Sequence, residues 1–246
     1  MNPQFRQSSC RRFPAMAILA WLVLCSAPAI AEDALDDEYR RQERLDMVER
    51  QIKGRGVEDP ATLEAMAKVP RHLFVPEERQ RLAYSDRPVP IGYGQTISQP
   101  YIVAYMTELL KLEPGARVLE IGAGSGYQAA VLAELTDQVY TIEIIPELAQ
   151  WGEGNMRRAG YSKVEVKHAD GYHGWPEHAP FDAIIVTAAA DHIPPPLIEQ
   201  LKDGGTMVIP VGHPLRTQNL IRISKRDGEI MTESLMPVRF VPFTRN

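Results

Sequence analysis

The chain has 246 residues, 44% hydrophobic and 24% charged, the balance of an ordinary globular protein with room for one substantial domain. Its formal charge is −5 and no Lys/Arg-rich block appears, which argues against a nucleic-acid partner. Both cysteines, Cys10 and Cys25, fall in the N-terminal segment, so the rest of the chain excludes disulfides, thiolate metal sites and a cysteine nucleophile.

Residues 1–31 read as a secretory signal peptide. Arg6, Arg11 and Arg12 precede an apolar run from Ala15 to Cys25, and Ala29-Ile30-Ala31 supplies an A-x-A cleavage site. The run is shorter than the ~20 residues of a membrane span. Cleavage removes three arginines and no acids, taking the charge from −5 to −8, and leaves a periplasmic or secreted protein with no stable membrane insertion. The plan is a leader over 1–31, a helical segment over 32–56 and one domain over 57–246, expected to be a monomer.

Leu45, Val48 and Ile52 at helical spacing predict a helix over 33–56 that stops at Gly54 and Gly56. A second helix is predicted over 59–69, with Asp59 as N-cap and Pro60 at its first position. VPRHLFVP (69–76) is bracketed by prolines and reads as extended. GYGQTISQPY (92–101) is polar, uncharged and punctuated by two glycines and a proline, which predicts a fixed loop. A helix over 101–112 follows.

From residue 117 the pattern changes. RVLEI, QVYTIE, KVEVKH, FDAIIVT and TMVIPVG predict strands, separated by helices reaching about 135, over 146–159 and near 195–202. Alternating strands and helices define an α/β fold with a parallel sheet covered on both faces. Asp227-Gly228 between two alternating runs predicts a C-terminal antiparallel hairpin at one edge.

VLEIGAGSGY (118–127) follows a strand and opens a helix. Gly122, Gly124 and Gly126 let the backbone turn sharply and approach a ligand closely. The spacing is G-x-G-x-G, not that of a dinucleotide loop, and Glu120 lies two residues ahead. A carboxylate there suits an ammonium group, not a pyrophosphate. Glu143, ending the second strand, suits a ribose diol, and Asp170-Gly171 ends the third strand where an adenine edge would lie. A nucleoside with a charged amino-acid tail and no phosphate is S-adenosylmethionine.

Other candidates carry less. His168, His173 and His178 are spaced by five, which is not one face of a helix, so no metal site is expected. His72 reads as a packed or surface histidine, and Ser125 is out of frame for the G-x-S-x-G of a serine hydrolase.

GYGQTISQPY, VLEIGAGSGYQAAVLAEL, the DGY after the third strand, PFDAIIVTAAA and LKDGGTMVIPVG together resemble the protein-L-isoaspartate O-methyltransferase family, as do VPRHLFVP and VRFVPFT. The match runs from about Met47 to Thr244. The glycine loop alone would match many methyltransferases; TISQP and VPRHLFVP are more particular. The resemblance implies a Rossmann-like S-adenosylmethionine-dependent methyltransferase sheet with an N-terminal helical cap and an altered strand order near the C-terminus. It implies methylation of the free α-carboxylate of L-isoaspartyl residues in damaged proteins or peptides, a repair reaction. It places Ser98 as the active-site serine, a hydrogen-bond donor to the incoming carboxylate, with Thr96, Ile97 and Gln99 covering the cofactor's methionine part and Thr244 nearby. The chain departs from the family in its leader, because the family is typically cytosolic and starts near Met47; a cytoplasmic protein results if Met47 is the true start. A methyltransferase of another carboxylate or small molecule, and an exported binding module without catalysis, are the alternatives.

Overall fold

The computed structural model describes Met1, residues 27–213 and residues 216–245. Of the predicted leader over 1–31, residues 2–26 lie outside the described residues, and residues 27–31 open the first helix. The chain divides into a unit over Met1–Tyr39 and a much larger one over Arg40–Asn246, the second carrying all the sheet structure among the described residues. No helix among the described residues is long and apolar enough to cross a membrane.

Helix α1 spans Ala27–Asp46. A wider π turn then covers Met47–Ile52 and a 3₁₀ turn covers Lys53–Arg55, ending at Gly56 with φ +92°. The helical run thus stops at Gly56 as expected, but it starts at Ala27 and changes pitch after Asp46. Met47, Val48 and Ile52 are all buried, and a turn closing i to i+5 puts such positions on one side. Helix α2, Pro60–Lys68, begins as its sequence predicts: Asp59 accepts a hydrogen bond from Thr62 N at 2.8 Å.

Two segments depart from expectation. Arg71–Phe74 is a 3₁₀ turn rather than extended chain. Its three-residue repeat sets Arg71 and Phe74 on one face, and both are buried. Part of the stretch expected as a fixed loop is instead the second half of a hairpin: β1 (Val89–Gly92) pairs antiparallel with β2 (Gln95–Ile97). Tyr93 and Gly94 make the turn at φ +52° and +72°, the positive angles that a two-residue hairpin turn requires. Val89, Ile91 and Ile97 are buried, which anchors the hairpin. Pro100 then opens α3 (Pro100–Leu110).

The main sheet holds β3 (Arg117–Ile121), β4 (Gln138–Glu143), β5 (Glu165–His168), β6 (Phe181–Val186), β7 (Leu201–Val211), β8 (Gln218–Arg226) and β9 (Glu229–Val238). Their order is β5-β4-β3-β6-β7-β8-β9. The first five are parallel; β8 and β9 add antiparallel to β7 and to each other. The turn between them falls at Asp227 and Gly228, both with positive φ. Strand β7 begins five residues earlier than predicted: Leu201 pairs with Phe181, then Thr206 with Ala183, so Asp203-Gly204-Gly205 bulges within the strand instead of preceding it. A Cβ on Gly205 would lie 2.8 Å from Lys202 O and 3.0 Å from Asp182 O, which leaves no space for a side chain there.

Helices α4 (Tyr127–Ala133), α5 (Pro146–Arg158) and α6 (Pro195–Gln200) connect the strands. Alternate residues of each strand feed two cores. Val118, Val139, Ala183 and Val208 pack toward α2 to α5; Leu119, Ile142, Ile184 and Met207 pack on the other face with Leu197 of α6. By the same pleat, Glu120 shares the face of Val118.

Candidate active site

The chain runs from β3 outward through β4 to β5, then returns to β6 on the other side of β3. Such a reversal leaves a crevice at the carboxyl ends of the strands, and a cavity lies there. One wall comes from the β3–α4 loop and the end of β4. The facing walls come from Gln95–Ser98, from α3, and from Phe240–Thr244.

The glycine loop is shaped by backbone bonds and by one acid. Gly122 N and Ala123 N both donate to Ile142 O. Glu143 accepts from Gly124 N at 2.8 Å through one oxygen and from Ile145 N at 2.9 Å through the other. Buried Asn155 donates to Ser125 O, and Ser125 Oγ accepts from Tyr127 N, a helix-start role. Gly122 sits at φ +102°, and a Cβ there would meet Thr187 Oγ1 at 2.4 Å. That hydroxyl donates at the carbonyls of Ile121 and Gly122.

Glu120 is wholly buried. Thr141, its register partner across β3 and β4, donates to one carboxyl oxygen. The other oxygen is buried with no hydrogen-bond partner. Burial pushes the carboxyl pKa up to about 8, against the Thr141 hydrogen bond and helped by the neighbouring Glu143. An orphaned carboxyl oxygen on a cavity wall fits a ligand that brings a cation. An S-adenosylmethionine ammonium meets that need, and the oxygens of Glu143 retain lone pairs that suit a diol.

Of the residues singled out from sequence, the cavity is lined by Thr96, Ile97, Ser98, Glu120, Gly122, Gly124, Glu143, Gly171 and Thr244. The structure places the other three behind the lining. Gln99, expected over the cofactor, turns outward and donates to Asp86 Oδ1 at 2.6 Å. Gly126 caps α4 at φ +84°, pressed against α5, where a Cβ would lie 2.8 Å from Gly152 O. Asp170 accepts from Tyr172 N and from Arg245 Nε, while its neighbour Gly171 packs so closely on Ile121 that a Cβ would stand 2.4 Å from its Cγ2. The histidines go to separate tasks: His178 stacks on Tyr140, His192 pairs with Asp191, and His72 Nδ1 lies 2.7 Å from the Tyr84 hydroxyl.

Sequence reasoning placed Thr244 near the site but missed how its strap is held, and it missed Gln218 and Arg71. The C-terminal strap Phe240–Thr244 returns across the end of β6, with Ala189 N donating to Val241 O and Phe243 N to Ala189 O, both at 2.8 Å. Gln218, buried at the start of β8, accepts from Phe240 N. Arg71 is buried and donates to Ser98 O at 2.6 Å. An arginine inside a mostly apolar, proline-bracketed run was the available cue for the last.

A mostly parallel sheet, a glycine loop at its central strand and an acid at the end of the next define the Rossmann-like methyltransferase class. A structure of a Plasmodium falciparum protein-L-isoaspartate O-methyltransferase in complex with S-adenosyl-L-homocysteine is similar at TM-score 0.74 and 29% identity, covering 82% of this chain and 99% of its own. The family model for protein-L-isoaspartate(D-aspartate) O-methyltransferase matches residues 42–246, and the chain belongs to that family. The protein-L-isoaspartate O-methyltransferase of Opitutus terrae is 56% identical over 234 residues, 95% of this chain and 97% of that one. That of Gloeobacter violaceus is 57% identical over 199 residues, 81% and 97% of the two chains.

Proposed function

We infer that this chain methylates the free α-carboxylate of L-isoaspartyl residues in proteins, using S-adenosylmethionine, and so serves protein repair. Family membership over residues 42–246 carries this reading, and the chemistry of the cavity supports it. When bound, S-adenosylmethionine supplies a methyl group on cationic sulfur, a good leaving group. The acceptor carboxylate has an ordinary pKa near 4 and arrives ionised at neutral pH, so the chain need not provide a base. The wall at Gln95–Ser98 accordingly offers neutral groups only. Ser98 takes the role of hydrogen-bond donor that orients the carboxylate, while Thr96, Ile97 and the strap exclude water. Glu120 and Glu143 hold the opposite wall, where Glu120 answers a cation and Glu143 a pair of hydroxyls.

Residues 1–31 are proposed as an export leader, on the basis of their basic, apolar and A-x-A regions. Residues just ahead of Met47 take part in the fold: Arg44 Nε donates to Ala67 O at 2.6 Å and Arg40 reaches Gln80 O. A chain starting at Met47 would lack both bonds, which favours translation from further upstream. The intact mass of the protein recovered from periplasmic and cytoplasmic fractions tests the leader; a cytoplasmic protein beginning at Met47 would refute it.

The activity is tested with purified residues 32–246, methyl-labelled S-adenosylmethionine and two peptides that differ only in an L-isoaspartyl or normal aspartyl residue. Base-labile label, released as methanol from the isoaspartyl peptide alone, is expected. Label on both peptides, or on neither despite cofactor binding, would assign another acceptor.

A further inference from the structure

Arg71 is a charged side chain with no exposed surface, and its surroundings are unusual. Nε donates to Ala83 O and Nη2 to Ser98 O, both at 2.6 Å. The guanidinium carbon lies 4.7 Å over the Tyr127 ring. Nη1 is buried without a hydrogen-bond partner, and no carboxylate among the described residues forms an ion pair with it. Burial lowers its pKa to about 10, opposed by Tyr127, so the group remains a cation at neutral pH.

A buried cation without a counter-ion is costly, and an apolar residue of the same volume is often as stable or more so. Packing is thus a poor account of an arginine here. Its partners give a better one. Ser98 belongs to the acceptor wall, and Tyr127 opens the helix that follows the glycine loop and itself lines the cavity. One rigid, planar fork therefore spans the 3₁₀ turn, the end of the hairpin and the start of α4. Holding the Ser98 carbonyl fixes that peptide plane, and with it the direction in which the serine side chain leaves the backbone. Lysine cannot reproduce this, because a single ammonium lacks the fork that serves two carbonyls in fixed geometry.

We propose that Arg71 is the positioning residue of the acceptor loop: it holds the Ser98 main chain so that the Ser98 hydroxyl meets the incoming carboxylate. The proposal rests on the acceptor role given to Ser98 above. It acts on the acceptor step, while the glycine loop keeps its own bonds to Ile142 and Glu143.

The test is a double-mutant cycle on the full domain, with Arg71→Lys and the volume-matched Arg71→Met each made in wild-type and Ser98→Ala backgrounds. Peptide kcat and KM are measured at saturating cofactor, and S-adenosylhomocysteine affinity by calorimetry. Losing a charge-assisted hydrogen bond at the acceptor predicts a drop in kcat/KM of about 10–100-fold for either Arg71 variant, carried mainly by kcat, with S-adenosylhomocysteine affinity within about threefold. In the Ser98→Ala background the same substitutions should cost under about threefold more, since the group they position is gone. Normal kcat/KM in the Arg71 variants overturns the proposal. So does an equal loss in both backgrounds, a parallel loss of S-adenosylhomocysteine affinity, or failure of both variants to fold, which would assign Arg71 to stability alone. Full activity of Ser98→Ala by itself would instead remove the reading of Ser98 on which the proposal stands.

Discussion

The two sides of the cavity are built by different means. The cofactor side consists of strand ends and the loop after β3, and its bonds are part of the sheet or adjoin it: Gly122 and Ala123 to Ile142 O, Gly124 to Glu143. The side proposed for the acceptor consists of a small hairpin and a C-terminal strap. Each is tied down by a side chain from elsewhere, Arg71 to Ser98 O and Gln218 to Phe240 N. The first side inherits its geometry from strand register, which a whole sheet enforces. The second adds single side-chain contacts to its apolar anchors and backbone bonds, and those contacts can be altered one at a time.

The sharpest test of this contrast compares two glycines. Gly122 on the cofactor side has φ +102° and a Cβ would strike Thr187 Oγ1 at 2.4 Å; Gly94 on the hairpin has φ +72° with nothing within 4 Å. Gly122→Ala is expected to lower folding stability by about 3 kcal/mol, from clash plus backbone strain. Gly94→Ala should cost about 1 kcal/mol, from strain alone. Equal losses in urea unfolding would erase the contrast.

Next in size is Glu143→Ala, which strips two backbone donors of their acceptor. S-adenosylhomocysteine affinity is expected to fall about 10–100-fold, while kcat at saturating cofactor stays within about threefold. A kcat that collapsed with affinity intact would place Glu143 in the chemistry instead.

Glu120 gives a pH-dependent version. Its folded pKa of about 8 stands above the ordinary 4.5, so between those values the folded chain holds a proton that the unfolded chain has lost. Stability supplied by the neutral carboxyl is therefore complete below about pH 4.5 and declines as pH rises toward 8. Glu120→Gln, which mimics the neutral acid, should leave ligand-free stability near wild type at pH 5 and raise it by about 3–4 kcal/mol at pH 8. It should also weaken cofactor binding at both. A difference between variant and wild type that stays constant from pH 5 to 8 would mean that Glu120 is ionised throughout.

The smallest effect belongs to Arg245, which pairs with Asp170 and lies over Tyr172 at 3.6 Å. Its side chain is 44% exposed, and such a pair contributes under about 1 kcal/mol. Arg245→Ala is expected to shift stability by no more than that, measured by urea unfolding. A larger loss would show that the strap is tied as firmly as the strands.

What could be read from sequence follows the same division. β3 and β4 fall at the predicted residues, 117–121 and 138–143, because short apolar runs between turn residues state their own limits. Asp59 and Asp227-Gly228 likewise act on near neighbours in the chain. The β1–β2 hairpin escaped because its turn is Tyr93-Gly94, without the asparagine or aspartate that usually marks positive φ. The 3₁₀ turn at 71–74 escaped because it exists to bury Arg71, whose carbonyl partners lie 12 and 27 residues away. Gln99 was expected over the ligand, but Asp86, 13 residues upstream, draws it outward. Periodicity is silent about contacts of this kind.

The strap has a further consequence, which concerns the order in which the chain is made. Every strand of the parallel sheet, and both acids of the cofactor side, are synthesised before Phe240. Glu143 precedes it by 97 residues, from 143 to 240, which is about 5–20 s of translation. A nascent chain can therefore complete its glycine loop while still lacking the strap. Closure of the cavity waits until Phe240–Thr244 has been synthesised and has returned to Ala189.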